Sequence, residues 1–321
     1  MLRIVTPRNL GLVALAVLAV LPALANNYLL FVGNLTLIYV ILTVGLNLLI
    51  GYTGLLAFMN ATLFGVGAYA TAILRLDLGW PYGLAIPAGA LVTMAIGVLV
   101  ALPALRLAGL YLALATVAFG QFILWVLLHW DRVTRGPSGM QVPQIDYAPL
   151  TASFEQVHYY VTLAIVTAVV WVTVNLLRSR YGRAFVAIRE SEVAAESNGI
   201  DLTRYKTLAY AVSALYAGLA GGLFAPLLGI VVPESFDLSQ VIVQFAMVTV
   251  GGLGSVAGAV IGAIGLVWLQ EALRAFKELQ EVAFGGMILF TILFLPGGAA
   301  AMLKRHLPAW REPLRRLVSG R

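Results

Sequence analysis

Hydrophobic stretches recur along the whole chain, separated by short polar links, and their spacing predicts membrane helices. Apolar segments fall at roughly 10–26, 28–50, 51–74, 83–104, 107–129, 159–177, 207–231, 238–252, 255–271 and 281–303. Most approach the ~20 residues that a helix needs to cross a hydrocarbon core about 30 Å thick. The pattern predicts an all-α polytopic membrane protein with about ten membrane segments. The pair 238–252 and 255–271 reads either as one long helix or as two short ones divided at Gly251-Gly252-Leu253-Gly254-Ser255. One link breaks the pattern: residues 178–206 carry ten of the 34 formal charges in 29 residues. That segment must meet water.

Composition agrees with this picture. Hydrophobic residues make up 61% of the chain and charged residues 11%, where a soluble domain carries about 25% charged residues. The net charge of +6 therefore concerns loops and membrane orientation, not nucleic acid. The absence of cysteine excludes thiol chemistry, disulfides and Cys-ligated metals. His129, His158 and His306 are far apart in the sequence, so no histidine metal site is expected. Arg3 and Arg8 precede the first apolar run, and Ala23-Leu24-Ala25 resembles a signal-peptidase site. A retained first helix is the favoured reading over a cleaved signal.

Charge then sets the topology. Arg178, Arg180, Arg183, Arg189, Arg204 and Lys206 place the charged loop in the cytoplasm, and Lys304, Arg305, Arg311, Arg315, Arg316 and Arg321 place the C-terminus there too. An even number of crossings must separate them. Two short helices at 238–271 satisfy this and one long helix does not, so the glycine cluster reads as a break. Counting backwards puts the N-terminus inside and six crossings before the loop. The chain then divides into membrane segments at 1–177, a cytoplasmic loop at 178–206, membrane segments at 207–303 and a basic cytoplasmic tail at 304–321. The short 238–252 segment also suits a re-entrant path.

No Asp, Glu, Lys or Arg falls mid-span in this arrangement; Arg75, Arg106, Glu271 and Arg274 lie at segment ends. A stand-alone secondary carrier usually buries an ionisable pair on its pathway, and a membrane enzyme needs a polar catalytic cluster. Neither is visible. An uphill transporter of this kind needs work from another subunit. The interior is instead rich in glycine: Gly51, Gly54, Gly65 and Gly67; Gly218, Gly221 and Gly222; Gly251, Gly252, Gly254, Gly258, Gly262 and Gly265. For any single glycine, close helix packing is the favoured reading. The groups at 51–54 and 251–255 both fall at expected cytoplasmic ends and also read as helix breaks beside a pathway.

Within the charged loop, Tyr181 to Asn198 has helical character, Ile188, Ala195 and Ile200 form a candidate apolar stripe, Gly199 is a helix stop, and a second helix begins near Leu202. Such a helix–turn–helix is either a docking element for a soluble partner or a solvated connecting loop.

The run RYGRAFVAIRESEVAAESNGIDLTRYKTLAYAVSALYAGLAGGLFA resembles the branched-chain amino acid permease family, its M-type subunit in particular. Its centre, Ala194-Ala195-Glu196-Ser197-Asn198-Gly199-Ile200, resembles the EAA-type coupling loop of ABC importer permeases. Three further blocks agree: GYTGLLAFMNATLFGVGAYATAIL, RLAGLYLALATVAFGQFILWV with RGPSGM, and FDLSQVIVQFAMVTVGGLGSVAGAVIGA. The resemblance implies a non-enzymatic permease with a type II-like importer fold in a bacterial inner membrane. It also implies a sister permease, two cytoplasmic ATPases that carry the ATP and Mg, and a periplasmic solute-binding protein. It implies that Arg189, Glu192, Ala194, Ala195, Glu196, Gly199 and Ile200 couple to an ATPase. Gly51, Tyr52, Gly54, Met59, Asn60, Gly65, Gly67, Gly251, Gly252 and Gly254 are then the expected pathway and helix-break positions. The chain departs from the family at Leu55, Ala57, Met59 and Asn60, where Gln, Ser, Gly and His are common, and at Gln121, where Glu is common. The expected cargo is a branched-chain or other small hydrophobic amino acid, with a small organic acid, amide or urea as the alternative.

Overall fold

The computed structural model describes residues 25–105, 107, 109–145, 153–274 and 297–301, with single positions at 18, 22, 285, 286, 289, 291 and 293. The segments expected at 10–26 and 281–303 fall largely outside these residues, and Arg106 and the tail at 304–321 fall outside them altogether.

The first described helix, α1 (Asn27–Asn47), runs on into a π turn (Leu48–Tyr52). It is followed by α2 (Asn60–Leu76), α3 (Tyr82–Ala104), α4 (Leu110–His129), a single-turn α5 (Asp131–Thr134) and α6 (Phe154–Arg178). Two loop helices, α7 (Arg180–Glu190) and α8 (Glu192–Ser197), lead to α9 (Leu202–Leu228), and then to α10 (Leu238–Gly251) and α11 (Val256–Ala272). Two short strands, β1 (Met140–Gln141) and β2 (Ile230–Val231), pair antiparallel with Met140 opposite Val231. Among the described residues, five helical stretches are long and apolar enough to cross a membrane: Asn27–Tyr52, α3, α4, α6 and α9.

The helices do not share the interior equally. In the most apolar window of Asn27–Tyr52 and of α9, 78% and 72% of residues are buried, against 28% and 33% in α4 and α6. The first two are therefore the core and the last two the outer wall. α9 packs on α3, α2 and α1, while α1 also meets α11 and α6. Glycine makes this approach possible. A Cβ at Gly67 would sit 2.5 Å from the Gly218 Cα, and one at Gly97 would sit 2.5 Å from the Ala214 Cβ. With no hydrophobic drive between helices in lipid, such close dispersion contact is what holds the bundle together.

The expected division at 50/51 is displaced. The helix continues past Gly51 and Tyr52 through the π turn, and the irregular stretch is 54–59. The division expected at the later glycine cluster is present. α10 and α11 form an antiparallel hairpin in which Gly251 meets Gly258 and Met247 meets Gly262. Asp237 caps α10 by accepting from the Ser239 and Gln240 amides, and Ser255 caps α11 by accepting from the Gly258 amide at 3.1 Å. At ~1.5 Å per residue, helices of 14 and 17 residues are shorter than a full hydrocarbon core.

The bundle has two distinct ends. One gathers the strand pair, the Arg135–Asp77 pair and the Arg274–Glu271 pair. The other gathers the 54–59 stretch, helices α7 and α8, and the hairpin turn at 252–255.

Candidate functional site

The loop at 178–206 folds as a chain of capped helices. The Ser179 hydroxyl accepts from the Tyr181 amide at 3.1 Å to start α7, and the Ser191 hydroxyl accepts from the Ala194 amide at 3.3 Å to start α8. Gly199, at φ +80°, ends α8, with the Ile200 amide donating to the Ala195 carbonyl at 3.1 Å. Asp201 accepts from the Arg204 amide at 3.1 Å and opens α9. The single helix expected over 181–198 is thus two helices. Ser191 is extended (φ −164°) and separates the two helices, yet Ile188 and Ala195 both lie on the buried side.

Phase decides which residues meet water. Phe185, Ile188 and Ala195 are buried against the bundle. Val193, Ala194, Glu196, Ser197, Asn198 and Gly199 face outward. Val193, at 79% exposed, is the most exposed large apolar side chain of the described residues. Sequence reasoning passed over Val193, although its place one residue into a capped helix is a readable signal. Lys206 fastens α8 to α9: its Nζ lies 2.6 Å from a Glu192 carboxylate oxygen, and its side chain is 5% exposed. Beside this pair, a cavity of about 420 Å³ is lined by Leu105, Glu192, Glu196, Ile200 and Asp201. Removing the buried cation by Lys206→Met is expected to free α8. Limited proteolysis at 192–200 should become several-fold faster, while cleavage elsewhere stays unchanged.

The inner side of the loop meets both glycine breaks. The Arg189 Nη1 donates to the Gly51 carbonyl. A Cβ at Gly54 would lie 3.2 Å from the Arg189 Cγ, and one at Gly254 would lie 2.8 Å from Nη1. Asn47 ties the two breaks directly. Its Nδ2 donates to the Ser255 carbonyl at 2.8 Å, and its Oδ1 accepts from the Gly254 amide at 3.0 Å. Gly51 is packed against Asn47 and the Gly254 amide with no room for a Cβ. Gly252 lies against Gly297 and Ala300.

Deeper in the bundle, Asn60 is buried and donates from Nδ2 to the Gln244 Oε1 at 3.1 Å, while the Ser213 hydroxyl donates to its Oδ1 at 3.4 Å. This joins α2, α10 and α9. The Gln244 Nε2 is buried without a hydrogen-bond partner. Met59 is buried in the break, where the Phe58 amide donates to the Thr116 hydroxyl at 3.1 Å. Tyr52 is buried in the π turn. Gly65 sits under the Phe236 ring and Gly67 against Gly218, so both are packing positions between elements. The structure thus brings Arg189, Gly51, Gly54 and Gly254 together, places Asn60 in a separate polar cluster, and turns Ala194, Glu196 and Gly199 outward. His158, buried on α6, bonds through Nε2 to the Leu223 carbonyl at 3.1 Å.

Among the described residues, every charged side chain lies near a helix end or in a link. The fold defines a multi-pass helical membrane protein whose structured loop is anchored to breaks in its own helices. Comparison with known proteins makes the class specific. The family described as "Branched-chain amino acid transport system / permease component" matches residues 28–294. The high-affinity branched-chain amino acid transport system permease protein LivM of Salmonella typhimurium is 34% identical over 94% of this chain and 76% of its own length. The corresponding protein LivH of Escherichia coli is 24% identical over 81% of this chain and 90% of its own length. The autoinducer 2 import system permease protein LsrC of Klebsiella pneumoniae is 28% identical over 46% of this chain and 44% of its own length. No solved structure matches. The chain belongs to the branched-chain amino acid ABC permease family. It is a permease subunit of an ABC importer that has a partner permease, and it is not an enzyme.

Proposed function

We propose that this chain is the M-type permease of an ATP-driven importer, with a type II-like fold of ten membrane segments in a bacterial inner membrane. Its partners are a sister permease, two cytoplasmic ATPases that hold the ATP and Mg, a periplasmic solute-binding protein and the surrounding lipid. The EAA-type loop at 193–200 docks on an ATPase. The observation that carries this reading is the division of the loop into an exposed face (Val193, Ala194, Glu196, Gly199) and a buried face (Phe185, Ile188, Ala195). A solvated connecting loop has no need to bury three apolar side chains and a lysine ion pair beneath an exposed valine. ATPase closure pushes the loop, and the bundle alternates between outward and inward openings.

The cargo follows from the relatives: a branched-chain or other small hydrophobic amino acid. A small organic acid, amide or urea is the second reading, kept because Leu55, Ala57 and Met59, all buried and apolar, depart from the family's usual residues in this segment. Competition against uptake in vesicles carrying the whole transporter separates them. Leucine, isoleucine and valine are expected to compete, and competition by amides or organic acids alone would favour the second reading.

Topology is tested in the same vesicles. A cysteine at exposed Leu253, in the hairpin turn beside Arg189, is expected to react with an impermeant thiol reagent from the cytoplasmic side. One at exposed Glu234 should react from the other side. The reverse labelling would overturn the orientation.

A further inference from the structure

The family resemblance assigned Arg189 to ATPase coupling; the residue is exposed, yet its guanidinium reaches inward to the chain breaks. We propose that Arg189 is the positioning residue that carries movement of the loop to both chain breaks at once. The inference rests on the reading of this loop as the ATPase-docking element.

Three observations converge. First, the loop is joined firmly to the bundle. α7 is held by Phe185 and Ile188, Ser191 caps α8 at the end of α7, and Lys206–Glu192 fastens α8 to α9. Second, Arg189 sits in the last turn of α7 and is fitted to a helix end. The Gly51 carbonyl belongs to the last turn of the helix that closes at Thr53, where carbonyls lack intrahelical partners and the dipole favours a cation. A guanidinium supplies both the charge and a rigid, many-armed donor. Third, the contact reaches beyond α1. The same Nη1 packs at the Gly254 turn, the Arg189 stem lies on Gly54, and Asn47 bonds the Gly254–Ser255 backbone to α1. A shift of α7 therefore displaces the end of α1, the 54–59 stretch and the α10–α11 turn together, because no slack separates them. A chain of packed and hydrogen-bonded groups of this kind is the physical form that coupling between sites takes.

The test uses the whole transporter in proteoliposomes loaded with its binding protein and a branched-chain amino acid. Arg189→Gln is expected to lower solute imported per ATP hydrolysed by about tenfold, within the usual range of coupling factors. A second readout separates transmission from mere support. Spin labels at Arg183→Cys on α7 and Leu253→Cys on the hairpin turn should keep one distance with and without trapped ATP when Arg189 is present. In Arg189→Gln, that distance should shift or broaden on trapping. If Arg189→Gln does not assemble, Arg189→Lys, which keeps the charge and loses the fork, carries both comparisons. An unchanged import-to-hydrolysis ratio, or an unchanged distance in the variant, would overturn the proposal. Failure of the parent complex to import on ATP would instead overturn the function proposed above.

Discussion

Gly221→Val is expected to leave the permease unable to pack its core, with most of the extracted protein lost as aggregate. A Cβ at residue 221 would lie 2.6 Å from the Ala68 amide and closer still to the Phe64 carbonyl. Both are helix backbone and cannot rotate away, so α2 and α9 must separate. These two helices form one of the main contacts of the bundle, and Gly67 and Gly218 lie in the same seam. Overpacking a tight site costs about 1–3 kcal/mol, and backbone on the opposing side puts this case at the upper end. Against a total stability of roughly 5–15 kcal/mol, such a loss is severe. Gly265, on α11, is the control: nothing lies within 4 Å of its would-be Cβ, so Gly265→Ala should be extracted as well as the parent. Size-exclusion profiles in mild detergent read both variants. Equal monodisperse recovery of Gly221→Val would contradict the packing described.

The second large effect is expected at Gly199. Its φ of +80° and open surroundings mean that Gly199→Arg meets no steric block inside the chain. A side chain there costs about 1–2 kcal/mol in the left-handed region, too little to unfold the bundle. The arginine would instead project from the face that carries Val193 and Ala194. ATP-driven uptake should fall at least about tenfold while the protein inserts and melts close to the parent. Normal uptake would remove Gly199 from the docking face. A bulky change at Ala195 is a less clean probe, because Ala195 is buried and its replacement would disturb the loop from within.

Asn60 shows how packing changes the meaning of a residue. Asn60→Leu strands the Gln244 amide, both of whose groups would then lack partners in a buried site. A loss of about 1–2 kcal/mol in unfolding is expected, read by chemical denaturation in detergent. Gln244→Leu paired with Asn60→Leu should recover much of it, since removing both polar partners is cheaper than stranding one.

What could be read from the chain depended on whether the signal was local. The hairpin division at 252–255 follows from charge parity and glycine, and the stop at Gly199 follows from glycine alone. Both are properties of a few adjacent residues. The end of the first described helix was placed too early, because a π turn carries the chain past Gly51 and nothing in the neighbouring residues announces it. Ala195, expected to meet an ATPase, lies inside with Ile188, because the apolar stripe they share packs inward instead of facing a partner. Asn47, Gln244 and Lys206 could be seen only as polar residues in or beside apolar runs. Their partners lie 208, 184 and 14 positions away, so no local pattern names them. Arg189 was recognised as important, but sequence carries charge without direction.

The measurement that bears most directly on the central claim is a photocrosslink from position 193 in the assembled transporter. Val193 is 79% exposed, so a photoreactive residue there should leave the fold intact. The account predicts an adduct with the mass of this chain plus one ATPase subunit. An adduct with lipid or the sister permease alone would contradict it.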